Sequence, residues 1–245
     1  MGSPTLHITA NMDTDTDILG HVPHSQHLKN CTLTWWGTDT QQRYQQNIKR
    51  AQDLGWHEHS ITYTFNDQGW GTHTPSTVRG SGIMFLGDSY TMAVGVPAEQ
   101  SWAYKVWQHS NTRCFWNLAV GGCGMDTQSR LFWYWAPRLR PSAVYILPPI
   151  EPRREFVQDE GGFHMISVSS NDDMDRKAME RYFHWDNEQE IHGLRCRAWI
   201  QSVADHNSIQ VHWVTGAKHE DRSGRDLLHP GPAWHLRTAE ELTDR

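Results

Sequence analysis

Short apolar runs alternate with helical segments from Ile83 to the end of the chain, and this alternation is what most constrains the fold. Four runs have the length of a strand, at 83–86, 113–120, 142–149 and 208–216. Each is apolar nearly throughout and precedes a segment with helical spacing. Strands buried on both faces and joined through helices form parallel sheets. The sequence therefore predicts an α/β fold in which helices cover both faces of a parallel sheet.

The helices predicted for this region span 98–110, 125–137, 187–207 and 231–245. Residues 1–80 are more polar and irregular, with a helix predicted at 39–55 and an edge strand at 60–66. Asp39 or Thr40 is the expected N-cap of that helix. We therefore expect an N-terminal extension or small subdomain at 1–80 and a main domain at 81–245.

Composition limits the function classes that are open. A chain of 245 residues suits one large domain, and 37% hydrophobic with 20% charged residues indicates a folded protein. The net charge is -6 and no Lys/Arg-rich run occurs, which argues against a nucleic-acid partner. No apolar run approaches the ~20 residues of a membrane span. The first residues lack a basic start and an apolar stretch, so we expect no signal peptide and a cytoplasmic or viral protein.

Cysteine and histidine usage gives no metal signature. The four cysteines include no C-x-x-C pair, so reduced thiols are expected, with Cys123 as an alternative nucleophile. The 16 histidines show no zinc spacing, and "WHEH" at 56–59, nearest to a metal pair, also suits a solvated loop. We expect no bound metal.

Polar residues follow the ends of the predicted strands. Ser89 lies in "FLGDSYTMAVGV", just past the first strand, and Gly121 and Gly122 follow the second. The fourth strand leads into "GRDLLHPGPAWH", where Asp226 and His229 stand three residues apart. Because ligand sites of parallel α/β sheets lie beyond the carboxyl ends of the strands, we expect these residues to meet at one edge of the sheet.

Ser89, His229 and Asp226 have the chemistry of a nucleophile and its activating groups. A serine hydroxyl is a weak nucleophile, and it needs a base within hydrogen-bond reach and a carboxylate that orients the base. The short loop carrying Asp226 and His229 supplies both, and the Pro-Gly-Pro sequence after it stiffens the loop. The backbone N–H groups of Ser89 and Gly122 are candidate donors to the oxyanion of a tetrahedral intermediate.

The blocks "FLGDSYTMAVGV", "NLAVGGCG" and "RDLLHPGPAWH", in that order, resemble those of the SGNH/GDSL hydrolases. The resemblance covers about residues 81 to 240 and implies a flavodoxin-like three-layer α/β/α sandwich. It implies Ser89 as the nucleophile, His229 as the base and Asp226 as its orienting carboxylate. It also places Gly122 at the second-block glycine and implies a reaction without metal or organic cofactor.

Two positions depart from that family pattern. Ala119 stands where the run starting at Asn117 usually has glycine, and the third strand leads into "LPPIEPRREF" without the expected Asn. One oxyanion donor is therefore missing, and Arg153 or Arg154 is a candidate replacement that would also suit an anionic or sugar group. An uncompensated loss would cost about 3 kcal/mol of transition-state stabilisation and make a slow enzyme.

Each candidate also has a structural interpretation. Ser89 and Gly122 suit a plain turn, His229 suits a position beside prolines, and Asp226 suits a loop or helix cap. The two arginines of "EPRREF" suit a solvated or salt-bridged pair.

Two further features bear on substrate choice. Residues 158–186 are long for a simple connection, and we predict that they form a lid over the Ser89 crevice. Exposed tryptophan faces in the N-terminal part would suit stacking on sugar rings; these residues are Trp35, Trp36, Trp56 and Trp70.

The leading hypothesis is a serine esterase that cleaves small acyl esters, with O-acetyl groups on carbohydrate as the favoured substrate. A non-catalytic glycan- or partner-binding module on the same fold and an acyltransferase with the same triad are the alternatives. The expected partner is thus a small-molecule or carbohydrate ester.

Overall fold

The computed structural model of the chain describes residues 17–23, 26–72, 74–150, 152–157, 163–167, 172–182, 188–216 and 221–243. The strands are β1 (Thr32–Leu33), β2 (Tyr63–Thr64), β3 (Ile83–Leu86), β4 (Phe115–Asn117), β5 (Ala143–Ile146), β6 (Arg153–Val157), β7 (Phe163–Ser167) and β8 (Gln210–Trp213). The α-helices are α1 (Gln41–Gln46), α2 (Ile48–Asp53), α3 (Ser89–Met92), α4 (Trp102–His109), α5 (Met125–Leu139), α6 (Asp173–Tyr182), α7 (Glu188–Asn207) and α8 (Pro232–Thr243).

The central sheet has the strand order β4-β3-β5-β8, and all three pairings are parallel. Phe85 aligns with Asn117 on one side and with Tyr145 on the other, so the carboxyl ends of the strands lie at one edge. The predicted α/β fold with a parallel sheet is confirmed.

Two apolar clusters cover the two faces of this sheet. On one face, Met84 and Leu86 of β3 pack with residues of α5 and α7, such as Phe132 and Ile200. On the other face, Phe85 packs with residues of α4 and α8, including Trp102 and Trp234. Side chains of a strand alternate between the faces, so both faces of an all-apolar strand are buried. The result is a three-layer α/β/α sandwich.

The N-terminal part has a small core of its own and packs onto the sandwich. β1 and β2 pair antiparallel above a cluster that includes Trp56 and Phe65. Trp70 lies edge-on against Trp135 of α5, with ring centroids 4.7 Å apart. Trp56 and Trp70 are buried, so they are not available for stacking on a sugar. Trp35 and Trp36 are half-buried, so they remain candidates for that role.

Three predicted helices differ from those observed. The helix expected at 98–110 begins at Trp102 with Ser101 as its N-cap, and a separate 3-10 turn at Ala98–Gln100 precedes it. The helix expected at 39–55 is divided into α1 and α2 at Asn47, and Thr40 caps α1 by accepting a hydrogen bond from the Arg43 N–H at 3.1 Å. The helix expected to end at Pro137 continues to Leu139. Proline removes one hydrogen bond of the helix, and near the helix end this loss is tolerated.

The segment between β5 and α7 contains structure that the sequence pattern did not predict. β6 and β7 form an antiparallel hairpin, and α6 follows it. Arg130 of α5 holds this hairpin by two hydrogen bonds of 2.7 Å to the carboxylate of Glu155. None of the helices in the described part of the chain combines the length and apolar character that a bilayer crossing requires.

Candidate active site

Ser89 is the first residue of α3, just beyond the carboxyl end of β3. Asp88 is the N-cap of this short helix, and its carboxylate accepts a hydrogen bond from the Tyr90 N–H at 3.0 Å. Burial raises the pKa of Asp88, although its ion pair with Arg153 at 2.8 Å opposes that shift. A buried cap therefore fixes the serine at the edge of the sheet.

The loop before α8 brings an imidazole and a carboxylate to this serine. His229 Nε2 lies 2.8 Å from Ser89 Oγ, and His229 Nδ1 lies 2.6 Å from Asp226 Oδ2. With a proton on Nδ1 donated to the carboxylate, Nε2 is free to accept the proton of the serine hydroxyl. The structure thus brings these three residues into one hydrogen-bonded chain.

Asp226 is almost fully buried and remains the charged member of the chain. Burial opposes its charge, but hydrogen bonds from His229, Thr38 and the Leu228 N–H outweigh that effect and hold the pKa of Asp226 below its usual range. A carboxylate that accepts several hydrogen bonds is stabilised in its ionised form. Asp226 is therefore ionised at neutral pH.

The open space next to Ser89 is a cavity of about 500 Å³. Sandwich residues on its wall are Ser89, Val94, Gly121, Gly122, Arg153 and His229, and N-terminal residues are His27, Trp36, Gly37 and Thr38. The N-terminal part of the chain therefore forms one side of the candidate site.

The loop that carries Gly121 and Gly122 runs beside the serine. The Val120 N–H donates to the Gly87 carbonyl at 3.0 Å, and a methyl group added to Gly121 would lie 4.0 Å from the Cβ of Ser89. The loop therefore runs close to the serine. Gly122 lies on the cavity wall, and the oxyanion role of its N–H stays a prediction.

The two candidate arginines of β6 lie in different surroundings. Arg153 lines the cavity and pairs with Asp88. Arg154 is 3% exposed, and its guanidinium lies 3.9 Å from Glu188 at the start of α7. Neighbouring residues of a strand point to opposite sides. Of the two arginines, it is Arg153 that can reach a molecule in this cavity.

Cys123 does not have the surroundings of a reactive thiol. Its side chain is fully buried, its Sγ donates to the Gly87 carbonyl at 3.3 Å, and burial raises its pKa strongly. Since the thiolate is the nucleophile, a raised pKa makes this cysteine inert. Within the described ranges, no three His, Cys, Asp or Glu side chains are grouped closely enough to hold a metal ion.

Several residues around the site were not found from the sequence. Thr38 donates a hydrogen bond of 2.5 Å to Asp226 Oδ2, and His27 lines the cavity. Trp36, which the sequence indicated only as one of four possible sugar-stacking tryptophans, lines the cavity as well. "WWGTD", at 35–39, suggests a turn, but nothing in that motif indicates which distant loop the turn would reach.

The segment predicted to form a lid, 158–186, is described at 163–167 and 172–182, and its other residues lie outside the described part of the chain. The described residues of the segment do not belong to the cavity wall. They belong to the hairpin that begins at Arg153 and to the helix after it, and Arg153 does line the cavity. A closing movement of this segment stays a prediction.

Comparison with solved structures shows a structural likeness, whereas comparison with family models and curated proteins does not. No protein-family model matches the chain, and no curated protein matches it. Among solved structures, the chain is similar to one described as a lipolytic protein of the G-D-S-L family from Desulfitobacterium hafniense DCB-2. The alignment has 14% identity and a TM-score of 0.35, and it covers 67% of this chain and 99% of that one. The geometry of Ser89, His229 and Asp226 belongs to this chain itself and carries the functional inference.

Proposed function

We propose that the protein is a serine ester hydrolase. The single observation that carries this proposal is the hydrogen-bonded chain from Ser89 Oγ through His229 to Asp226, with contacts of 2.8 and 2.6 Å. These distances lie within the range that direct proton transfer between a nucleophile and its base requires. The chain opens onto a cavity of about 500 Å³, which suits a small ester.

The proposed reaction has two steps. Ser89 Oγ attacks the ester carbonyl while its proton passes to His229 Nε2, and the imidazolium then gives that proton to the departing alcohol. Water repeats the sequence on the acyl-enzyme and releases the carboxylic acid, which restores the serine hydroxyl. The ionised carboxylate of Asp226 keeps the imidazole in the required tautomer and stabilises its charged form.

The proposed oxyanion donors are the backbone N–H groups of Ser89 and Gly122. Arg153 is the proposed third contact, because it lines the cavity where the family resemblance expects an Asn. Its guanidinium has several N–H donors, so one can remain on Asp88 while another faces a substrate oxygen. That arrangement would offset the missing amide donor.

The proposed substrates are small acyl esters, with O-acetylated carbohydrate favoured. Trp36 is half-buried on the cavity wall, and an indole face at this place suits the apolar face of a sugar ring. A binding module would bind the carbohydrate without turnover. An acyltransferase would transfer the acyl group to an acceptor rather than to water.

Hydrolysis of p-nitrophenyl acetate by the wild type, Ser89→Ala and Cys123→Ala tests the proposal. We expect Ser89→Ala to lose at least ~10³-fold in kcat/KM, because the nucleophile is gone. Cys123→Ala is the matched control and is expected to retain turnover. Equal rates for the wild type and Ser89→Ala would reject the mechanism.

A fluorophosphonate probe and product analysis separate the alternatives. Covalent labelling of the wild type and not of Ser89→Ala is expected of an esterase. A protein that binds glycans equally well with and without the serine, and that resists the probe, would instead be a binding module. Acyl groups appearing on an added sugar acceptor would identify an acyltransferase.

A further inference from the structure

We propose that Thr38, in the N-terminal part of the chain, is a positioning residue that orients Asp226 and, through it, His229. The inference rests on the proposed esterase function, in which His229 is the base. It assigns the N-terminal part a role in the reaction in addition to its place on the cavity wall.

The first support is the contact itself. Thr38 Oγ1 lies 2.5 Å from Asp226 Oδ2 and 3.4 Å from His229 Nδ1. An ionised carboxylate only accepts hydrogen bonds, so the hydroxyl is the donor. The same Oδ2 accepts the hydrogen bond of His229 Nδ1 at 2.6 Å, so the threonine acts on the oxygen that orients the imidazole.

The second support is the set of donors around Asp226. Oδ1 accepts hydrogen bonds from the N–H groups of Leu228 and His229, both at 3.1 Å. Oδ2 accepts from His229 Nδ1 and from Thr38. A carboxylate has about four acceptor positions, and these four donors occupy them. Without the threonine hydroxyl, Oδ2 would keep, among the described residues, only the imidazole that it is meant to orient.

The third support is a tight turn that presents Thr38. Trp36 and Asp39 exchange two backbone hydrogen bonds, at 2.9 and 3.1 Å, and leave Gly37 and Thr38 at the tip. Gly37 has φ +63°, a conformation that glycine adopts without strain and that such two-residue turns require. The ring of Trp36 packs on that of Phe65, with ring centroids 5.6 Å apart, and this contact holds one end of the turn in place.

The fourth support is a buried ion pair that ties this turn to the catalytic loop. Arg225 Nε and Nη2 reach the two carboxylate oxygens of Asp39 at 3.0 and 2.5 Å, and Tyr63 donates to Asp39 at 2.6 Å. Asp39 is 0% exposed and Arg225 5%. Arg225 precedes Asp226 and Asp39 follows Thr38, so one ion pair sets the distance between threonine and carboxylate.

Two variants separate the hydroxyl from the shape of the side chain. Thr38→Val keeps the shape and removes the donor, whereas Thr38→Ser keeps the donor. We expect Thr38→Val to lower kcat on p-nitrophenyl acetate by on the order of tenfold, with a smaller effect on KM, since one hydrogen bond to a charged group is lost. Thr38→Ser is expected to restore most of kcat.

Proton NMR supplies a readout that does not depend on turnover. The low-field Nδ1 proton that His229 shares with Asp226 is assigned by its absence in His229→Asn. We expect this signal to shift or broaden in Thr38→Val and to return to the wild-type position in Thr38→Ser. Circular dichroism and the thermal midpoint show whether each variant is folded.

An unchanged kcat and an unchanged low-field signal in folded Thr38→Val would overturn the inference. So would Thr38→Ser being as impaired as Thr38→Val, because shape rather than the hydroxyl would then matter. If the wild type has no esterase activity, the proposed function fails, while the NMR comparison still decides whether Thr38 orients the pair.

Discussion

At the scale of single residues, the position of Asp226 depends on a close backbone approach at Gly95. The Gly95 carbonyl accepts a hydrogen bond from the Arg225 backbone N–H at 2.7 Å. The Gly95 N–H donates a hydrogen bond to the Tyr63 hydroxyl at 2.9 Å. A Cβ added there would lie 3.0 Å from Asp226 Oδ1 and 3.1 Å from the Arg225 nitrogen. The present positions of Asp226 and the Arg225 backbone therefore require that residue 95 has no side chain.

Gly95→Ala tests this requirement, with Gly80→Ala as the control. Both glycines have left-handed backbones, with φ of +79° and +76°, and each alanine carries a strain of about 1–2 kcal/mol. Nothing lies within 4 Å of the Cβ position at Gly80, so Gly80→Ala is expected to lose stability but to keep its kcat/KM. Gly95→Ala is expected to lose on the order of tenfold in kcat/KM as well, the effect of about 1.4 kcal/mol at the transition state.

Urea unfolding and p-nitrophenyl acetate turnover of both variants supply the measurement. If Gly95→Ala were as active as Gly80→Ala at equal stability, Asp226 would not depend on the space at 95.

At the scale of elements, α5 joins the parts of the site. Its first turn follows the Gly121–Gly122 loop, and the Glu155 N–H donates to Asp126 at 2.7 Å, which fastens the hairpin that begins at Arg153. Near its other end, α5 continues through the exposed Pro137. Proline has no N–H to donate to the carbonyl one turn earlier, so the helix carries a local defect at its end away from the candidate site.

Pro137→Ala should stabilise the protein without changing turnover. Alanine restores a helical N–H and has the best helix propensity, so we expect a gain of about 1 kcal/mol, less than the ~3 kcal/mol of a helix interior because Pro137 is in the last turn. Pro75→Ala, in an exposed loop, is the control and is expected to lose about 0.5 kcal/mol through greater freedom of the unfolded chain. Urea midpoints of the two variants should therefore move in opposite directions.

At the scale of the whole molecule, a buried histidine ties stability to pH. His235 of α8 is 0% exposed. Its Nδ1 accepts a hydrogen bond of 3.3 Å from the backbone N–H of Trp102, the first residue of α4. Burial lowers its pKa to about 3, although the charge of Asp221 opposes the shift. The histidine joins the two helices that cover one face of the sheet, so its protonation would disturb that layer.

The sign of the pH effect follows from proton binding. Between the ordinary histidine pKa of about 6.5 and the lowered value in the folded protein, the unfolded chain binds a proton that the native state does not. The free energy of unfolding is therefore highest above pH 6.5 and falls as the pH decreases, by up to about 1.4 kcal/mol per pH unit for this residue. His192, whose pKa burial lowers to about 4, adds to the same trend.

His235→Asn should reduce this dependence. The amide oxygen of asparagine can accept the Trp102 N–H but does not titrate. Urea unfolding at pH 7, 6 and 5 is expected to show a shallower slope for the variant than for the wild type. Parallel curves would mean that His235 does not carry the effect.

The sequence by itself determined the strands and helices of the sandwich and singled out Ser89, Asp226 and His229 as candidates. β3 was predicted at its observed bounds, and α7 and α8 within one or two residues at each end. Apolar runs, caps and turn residues are properties of neighbouring residues, so a single chain displays them. The hairpin of β6 and β7 was not predicted, because its strands mix charged and apolar residues and so lack a clear strand pattern.

Only the tertiary structure decided which distant residues complete the site. Thr38 and Asp226 are 188 positions apart and share a hydrogen bond. Arg153 lines the cavity and Arg154 does not. Hydrogen bonds between Arg130 of α5 and Glu155 of β6 fix the orientation of that strand, and the orientation decides which arginine faces the cavity. Contacts of this kind depend on how whole elements pack against one another. That packing depends on the burial of apolar surface and the pairing of polar groups throughout the molecule, so a local sequence pattern does not predict it.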